Sequence, residues 1–115
     1  MRCVLYLVDK ILGKTDGRKR SPKWREVRGE FLKENPSCAA CGGTKKLEVH
    51  HVVPFHIDPS RELDTTNLMT LCRRKKYGIH CHLNLGHKGN YRDFNDDVVE
   101  MAAAMLEYLE SRKSR

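Results

Sequence analysis

The chain has 115 residues, with 22 lysines and arginines against 15 aspartates and glutamates, which gives a net charge of +7 at neutral pH. This length predicts one small domain, and the 39% share of hydrophobic residues leaves room for only a modest core. The basic balance favours a polyanionic partner, although composition alone fits a merely soluble basic protein equally well.

The N-terminal stretch MRCVLYLVDKIL predicts a short amphipathic helix rather than an export signal or a membrane span. Val4, Val8 and Ile11 fall on one helical face. Asp9 and Lys10 interrupt the apolar run, which is too short to cross a bilayer and lacks a cleavage site. We therefore expect a cytoplasmic protein with no membrane partner. In a reducing compartment its five cysteines would bind metal more often than they pair.

The segment SPKWREVRGEFLKENP predicts a second helix. Ser21 is a suitable N-cap, Pro22 fits the first helical position, and Asn35 before proline marks the end. An apolar stripe runs along one face, formed by Trp24, Val27, Phe31 and Leu32. We expect the Trp24 ring to be buried on this stripe, and stacking on a nucleic-acid base is the alternative.

The cysteines are arranged as a zinc site would require. Cys38 and Cys41 form a C-x2-C pair beside two glycines, and Cys72 and Cys81 form a second pair with eight residues between them. That insertion can loop out without moving the two sulfurs apart. These four thiols predict a structural Zn²⁺ site, and the alternative is that some are ordinary buried thiols. Cys3 is expected to be a small buried residue on the first helix.

Two adjacent histidines lie in the first of two predicted strands. Residues 47–53 and 67–72 are apolar and β-rich, and a polar loop from Phe55 to Thr66 joins them. Neighbouring side chains of a strand leave opposite faces, so His50 and His51 point in opposite directions. One imidazole can therefore bind a metal while the other stays free to act as a base.

The segment after the second strand predicts a loop and a brief helix that ends near Gly89. His82 follows Cys81 at the start of this helix, and His87 comes five residues later. On a regular α-helix five residues rotate a side chain by about 140°, so the two share a face only if Gly86 lets the helix unwind. His82 is accordingly the stronger ligand candidate. The remaining histidines are expected at the surface or in loops: His56 and His80.

Basic residues are clustered along the chain. Residues 10–33 carry nine lysines or arginines against three acids, and RRKK follows at residues 73–76. Such clusters are typical of phosphate-binding surfaces. The residues expected to contact nucleic acid are Arg18, Lys19, Arg20, Lys23, Arg73, Arg74, Lys75 and Lys76.

These motifs together resemble the zinc-bound form of the HNH endonuclease motif. The pattern LEVHH…P…ELDTTNLMTLC…CH…GH carries the resemblance from about Cys38 to His87, and the segment before it resembles the lead-in of small phage and bacterial HNH proteins. The resemblance implies a ββα-metal core. An Asn/Asp cap, an acidic first turn and a basic last turn independently predict a C-terminal helix at 95–113. We therefore expect an α+β fold stapled by zinc and flanked by N- and C-terminal helices, in a single HNH nuclease domain over residues 1–115 with a lead-in at 1–35 and the core at 38–89.

The resemblance also implies roles for individual residues. His50 would hold a catalytic divalent metal, such as Mg²⁺, Mn²⁺ or Ni²⁺, and His51 would be the general base. Asn67 would pin the long loop and orient His51. His82 would be the second metal ligand, and His87 would be a third. Family members often have aspartate where His50 stands, and histidine is an accepted variant.

We therefore expect a metal-dependent endonuclease that hydrolyses DNA phosphodiester bonds in a bacterial or phage-infected cell. No base-reading element is visible, so double-stranded DNA would be bound with weak sequence specificity. One alternative is a non-catalytic zinc-stapled module that binds nucleic acid or a phage-packaging partner. Another is a zinc-stapled interaction protein whose charge serves solubility alone. His51 and Asn67 at their motif positions favour the enzyme.

Overall fold

A computed structural model describes residues 20–74, 80–90 and 92–113. The elements in chain order are helix α1 (Trp24–Glu34), strand β1 (Leu47–His51), strand β2 (Leu68–Cys72), a π-helix (Cys81–Gly86) and helix α2 (Val98–Lys113). This arrangement confirms the predicted small α+β fold. The predicted first helix and Cys3 lie outside the described residues. None of the helices in the described ranges combines the length and the apolar character that a membrane span requires.

Strands β1 and β2 pair antiparallel, with Leu47 opposite Cys72 and His51 opposite Leu68. Both lie where the sequence predicts strands, but β1 ends at His51 rather than at residue 53. Beyond His51 the chain no longer pairs with β2 as a strand. The Val53 N–H donates instead to the side chain of Asn67, at 2.8 Å from Oδ1. The loop between the strands contains two single-turn 3₁₀ helices, Pro59–Arg61 and Thr65–Asn67.

Helix α1 lies beside β1 and begins at Trp24, three residues after the predicted cap. Ser21 nevertheless organises its start, because Ser21 Oγ accepts the Lys23 N–H at 3.1 Å and the Ser21 carbonyl accepts the Trp24 N–H at 3.1 Å. The helix ends at Glu34, immediately before the predicted stop. None of its residues is fully buried, so the apolar stripe, Trp24 included, is half-buried rather than part of the core.

The core of the described residues is centred on cysteines. Strand β2 is buried along its whole length, since it lies between the C-x2-C knuckle, the π-helix and α2. The buried cluster consists of Cys38, Ala40, Cys41, Met69, Leu71, Cys72, Cys81, Val98 and Ala102. The modest apolar content of the chain is therefore concentrated around four thiols, as expected for a small domain that needs a staple.

Candidate functional site

The four predicted zinc ligands converge inside the core. The Sγ atoms of Cys38, Cys41, Cys72 and Cys81 all lie within 4.8 Å of one another, and Cys41 Sγ is 3.5 Å from Cys72 Sγ. Sulfur ligands about 2.3 Å from a tetrahedral zinc ion lie about 3.8 Å apart, so the spacing fits Zn²⁺. The eight-residue insertion between the last two cysteines does not separate them. The cluster is compatible with a structural zinc.

The C-x2-C knuckle directs backbone amides at one sulfur. Cys38 Sγ accepts N–H groups from Ala40 at 3.4 Å, Cys41 at 3.5 Å and Cys72 at 3.4 Å. Gly42 has a φ of 76°, which favours glycine, and its N–H closes the turn on the Cys38 carbonyl at 2.9 Å. The sequence places glycine where the turn requires it.

The thiols of this cluster differ in their affinity for protons. A hydrogen bond from the Cys81 thiol, assisted by the backbone amides, lowers the pKa of Cys38 to about 4. Burial raises the pKa of Cys41 to about 11, and the hydrogen bond to Cys38 raises that of Cys81. Cys41 and Cys81 therefore keep their protons at neutral pH, and a zinc ion would displace these protons on binding.

A second cluster brings three histidines together. One ring nitrogen each of His50, His82 and His87 lies within 4.8 Å of the others, and the ring centroids are 4.7 to 5.1 Å apart. Nitrogen ligands about 2.0–2.1 Å from a metal ion lie roughly 2.9 to 3.4 Å from one another. The separation of 3.2 Å between His82 Nε2 and His87 Nε2 falls within that range.

Hydrogen bonds at the far side of two of these rings fix their tautomers. His82 Nδ1 donates to Glu48 Oε1 at 2.9 Å, and His87 Nδ1 donates to the carbonyl oxygen of Asp93 at 2.8 Å. Both Nε2 atoms then carry lone pairs, and these atoms face each other at 3.2 Å. Two lone pairs at this distance repel unless a proton or a cation lies between them. A carboxylate or carbonyl behind a histidine is also the usual support of a metal ligand.

His50 supplies the third nitrogen from strand β1. Its side chain is 0% exposed, and neither ring nitrogen has a hydrogen-bond partner within the described ranges. Burial, reinforced by the neighbouring His82 and His87, lowers the pKa of His50 to about 2, so the ring is neutral. A buried polar group without a partner requires an explanation, and a metal ion fits the space between these three rings.

The π-helix explains why His82 and His87 share a face. A spacing of five residues separates two side chains by about 140° on an α-helix, which is why the sequence ranks His87 below His82. Hydrogen bonding in a π-helix is wider, so residues five apart return towards the same side. The helix from Cys81 to Gly86 has this form. The α-helical assumption was therefore wrong for this segment, and His87 lies as close to His50 as His82 does.

Gly86 lets the π-helix approach the His50 ring. A Cβ atom at this position would lie 2.9 Å from His50 Cε1, 3.0 Å from Nδ1 and 3.2 Å from Nε2. Contacts this short are not tolerated by a buried ring, so glycine is required for packing and not for backbone conformation.

His51 leaves strand β1 on the opposite face from its neighbour His50, as expected from the alternation of side chains along a strand. Its Nε2 donates to the carbonyl oxygen of Glu62 at 2.9 Å, which leaves the lone pair on Nδ1. The Trp24 ring lies against it, with centroids 4.5 Å apart and planes tilted by 35°. Burial lowers the pKa of His51, and the positive charge of Arg20 acts in the same direction. The imidazole is therefore held neutral and in one tautomer.

Asn67 pins the loop that carries the Glu62 carbonyl. Its Oδ1 accepts the Val53 N–H at 2.8 Å, and its Nδ2 donates to the carbonyls of Val53 at 3.0 Å and Arg61 at 3.4 Å. Asn67 is 1% exposed. Its side-chain hydrogen bonds go to the loop backbone rather than to the His51 ring, so its effect on that ring passes through the loop.

A cavity of about 540 Å³ is lined by side chains from both faces of strand β1, Glu48 on one face and Val49 and His51 on the other. Its walls bring His51 into the same space as His82 and His87, and two arginines of the lead-in segment contribute positive charge. The lining residues are Arg20, Trp24, Arg28, Glu48, Val49, His51, Pro54, Phe55, His56, His82 and His87. His56, expected at the surface or in a loop, is a loop residue in the wall of this cavity.

The predicted nucleic-acid contacts are only partly described. Arg20, Lys23 and Arg73 are exposed, and Arg74 is half-buried. Arg20 alone among these four lines the cavity. The predicted contacts that lie outside the described residues are Arg18, Lys19, Lys75 and Lys76.

Several residues of the site were not predicted from the sequence. Glu48 could have been found, because it lies two positions before His50 and so shares its face of the strand. Arg28 lies one helical turn after Trp24 on α1, and that spacing also places both on one side. Glu62 lies in an irregular loop, where no periodicity relates a residue to a site.

Comparison with known proteins points to one family. The family model described as HNH endonuclease matches residues 38–88, which contain both the four-cysteine cluster and the three-histidine cluster. A search of curated proteins and of solved structures found no match to the chain.

Proposed function

Because residues 38–88 match the HNH endonuclease family model, we propose that the protein is a metal-dependent endonuclease that hydrolyses DNA phosphodiester bonds. The observation that carries this proposal is the convergence of His50, His82 and His87 beside His51. The three nitrogens suit a divalent cation, and the fourth imidazole is neutral and lies in the same cavity wall as two of them.

His51 is proposed as the general base. A neutral imidazole is a competent base for water near neutral pH, and the hydrogen bond from Nε2 to the Glu62 carbonyl leaves Nδ1 to accept the proton. After the transfer, the Glu62 carbonyl would still accept the Nε2–H of the imidazolium. Asn67 would hold the loop in place and so maintain the direction of that bond.

His50, His82 and His87 are proposed as ligands of the divalent cation. Glu48 and the Asp93 carbonyl would hold the His82 and His87 rings with their Nε2 atoms turned towards that site. When bound, a divalent cation would offset the charge on the scissile phosphate and the departing 3′ oxygen. Imidazole ligands suit Ni²⁺ or Zn²⁺ best. Mn²⁺ and Mg²⁺ favour oxygen ligands, and Mg²⁺ loses its bound water reluctantly, so it suits this site least.

The cationic side chains around the cavity are proposed to bind phosphate groups of double-stranded DNA. Arg20 and Arg28 lie in the cavity wall, and Lys23, Arg73 and Arg74 would extend the contact along the backbone. Contacts of this kind position the duplex without reading its sequence. We therefore propose weak sequence specificity, and Zn²⁺ at the four cysteines as the structural staple.

The test is cleavage of supercoiled plasmid by the purified, zinc-loaded protein with added Mg²⁺, Mn²⁺ or Ni²⁺. We expect nicking that EDTA abolishes and that His51→Ala slows by about a hundredfold or more, the usual contribution of a general base. His80→Ala is the matched control, since this histidine does not line the cavity. Zinc content is measured for each protein.

Equal nicking by the wild-type and His51→Ala proteins would exclude His51 as the base. DNA binding without cleavage in any of the three metals would instead support the non-catalytic module.

A further inference from the structure

We propose that Glu62 is a positioning residue that ties helix α1 to the base His51, so that the lead-in helix is part of the active site. The inference rests on the proposed function, because it assigns a role relative to the base. Helix α1 (Trp24–Glu34) lies outside the residues that match the HNH family model. The match to the family model therefore gives helix α1 no role in the proposed active site.

The Glu62 carboxylate holds the chain segment that leads into α1. The side chain is 5% exposed, and a buried carboxylate is costly unless it is paired or hydrogen-bonded. Its oxygens accept the Ser21 N–H at 2.9 and 3.3 Å. The Arg20 guanidinium lies 3.9 Å from Oε2. These partners come from one short segment, which Glu62 therefore fixes to the loop.

The backbone of the same residue holds the base. The Glu62 carbonyl accepts the His51 Nε2–H at 2.9 Å. Residue 62 is thus linked to the lead-in segment through its side chain and to the imidazole through its main chain. Movement of the loop at this point would disturb both contacts together.

Helix α1 also contacts the His51 ring directly, through the side chain of Trp24. The Ser21 carbonyl accepts the Trp24 N–H at 3.1 Å, so the residue that Glu62 holds also sets the start of the helix. From that first position the Trp24 ring packs on the His51 ring, with centroids 4.5 Å apart. The imidazole is therefore confined between a carbonyl and an indole, and both depend on Glu62.

The same contact places Arg20 at the cavity. Its Cζ atom lies 4.3 Å from the centre of the Phe55 ring, and both residues line the cavity wall. Glu62 therefore also sets the position of a cation that faces the proposed phosphate site. The orientation of a catalytic group affects the rate steeply, and a displacement of about 1 Å can cost a hundredfold.

The experiment uses Glu62→Ala in the full zinc-loaded chain, with two readouts. Trp24 is the single tryptophan of the protein, so tryptophan fluorescence reports the surroundings of this one ring, which packs on His51. We expect Trp24 emission at longer wavelength, greater quenching by acrylamide, and a kcat for duplex cleavage lowered by about tenfold or more. The KM should change much less than kcat, because the remaining cationic residues still hold the duplex.

Three further variants separate positioning from folding. Glu62→Gln keeps an acceptor for the Ser21 N–H and should recover most of kcat and the wild-type emission. Glu62→Asp withdraws the carboxylate by one methylene and should resemble Glu62→Ala, which gives a second test if the alanine variant does not fold. Glu30→Ala removes an exposed carboxylate of the same helix and should match the wild type in both readouts.

The outcomes are distinct. Unchanged kcat or unchanged Trp24 emission in both Glu62→Ala and Glu62→Asp overturns the inference. A loss of kcat that the melting curve explains by the unfolded fraction at the assay temperature also overturns it. If the wild-type protein cuts no DNA with any metal, the proposed function fails. An active wild type with equally active Glu62 variants refutes the role of Glu62 alone.

Discussion

At the scale of single residues, the hydrogen bonds of the His82 and His87 rings determine which nitrogen atoms are available to a cation. His82 and His87 each donate an Nδ1–H to an oxygen that can only accept, so their Nε2 atoms are both acceptors and lie 3.2 Å apart. His50 adds a buried ring without a hydrogen-bond partner among the described residues. Removal of a group that supports such a ligand typically weakens metal binding by about 10- to 100-fold.

Replacing Gly86 with alanine should disturb this site without removing a ligand. The new Cβ would lie 2.9 to 3.2 Å from three atoms of the His50 ring, which must then move. We expect Mn²⁺ affinity, measured by calorimetry on the zinc-loaded protein, to fall by about tenfold or more.

Gly29→Ala is the matched control for this substitution. No atom lies within 4 Å of a Cβ built at Gly29, which is inside helix α1. Alanine there should leave Mn²⁺ binding unchanged and raise the free energy of unfolding by about 0.5–1 kcal/mol. Wild-type Mn²⁺ affinity in Gly86→Ala would contradict the close packing of the π-helix on His50.

The residues that sequence reasoning identified are those whose chemistry is rare in their context. Two histidines in an apolar strand and four cysteines in two pairs are unusual, and the family resemblance suggested their roles. Glu62 carries no such signal, because acidic residues are ordinary in loops. Its importance arises from burial and from contacts with residues 41 positions away, which no local pattern encodes.

At the level of secondary structure, the regular elements could be predicted and the irregular one could not. Helix α1 and both strands occur where capping and apolar runs predict them. The π-helix could not be predicted, because on an α-helix residues five positions apart do not lie on the same face. Gly86 in this helix approaches the His50 ring closely, a contact that no periodicity of the sequence indicates.

The loop between the strands should depend on the amide of Asn67. In Asn67→Asp the Nδ2 donor is lost, and a carboxylate oxygen would face the carbonyls of Val53 and Arg61. We expect the free energy of unfolding, measured in urea, to fall by about 1–3 kcal/mol, with a loss of cleavage activity in the protein that remains folded.

Asn90→Asp provides the comparison for this prediction. Asn90 is exposed, and its Oδ1 accepts the Arg92 N–H at 3.0 Å, a bond that aspartate retains. If both variants unfold at the same urea concentration as the wild type, the loop is not held by Asn67.

For the molecule as a whole, the four-cysteine cluster is part of the hydrophobic core. Four cysteines lie among the buried residues that α2 covers with Val98 and Ala102. A 115-residue chain with 7% aromatic residues has few other means of stabilising a core. Composition predicted that the core would need additional stabilisation, but not that the four cysteines would lie within the core itself.

Cys41→Ser should therefore abolish both zinc binding and cooperative folding, because formation of the site and folding are coupled. Zinc content and thermal unfolding followed by circular dichroism measure the two effects. Cys3→Ser is the control and should retain zinc, since Cys3 lies outside the two cysteine pairs that the sequence predicts as zinc ligands. An unchanged melting curve for Cys41→Ser would refute the structural role of the metal.

The charge of the whole chain leads to a prediction about DNA affinity. The logarithm of the affinity should fall linearly with the logarithm of salt concentration, because bound cations are released from the phosphates. Measured with the His51→Ala protein, Arg73→Ala should reduce this slope by about one. Arg112→Ala, at the end of α2, should leave it unchanged. A flat salt response would leave the net charge of +7 without a function in binding.

The most direct measurement of the central claim is anomalous X-ray scattering from crystals of the zinc-loaded protein soaked in Mn²⁺. We predict a manganese peak bounded by ring nitrogens of His50, His82 and His87, and a zinc peak among the four cysteines. Manganese bound elsewhere, or three imidazoles packed against one another with no peak between them, would contradict the account.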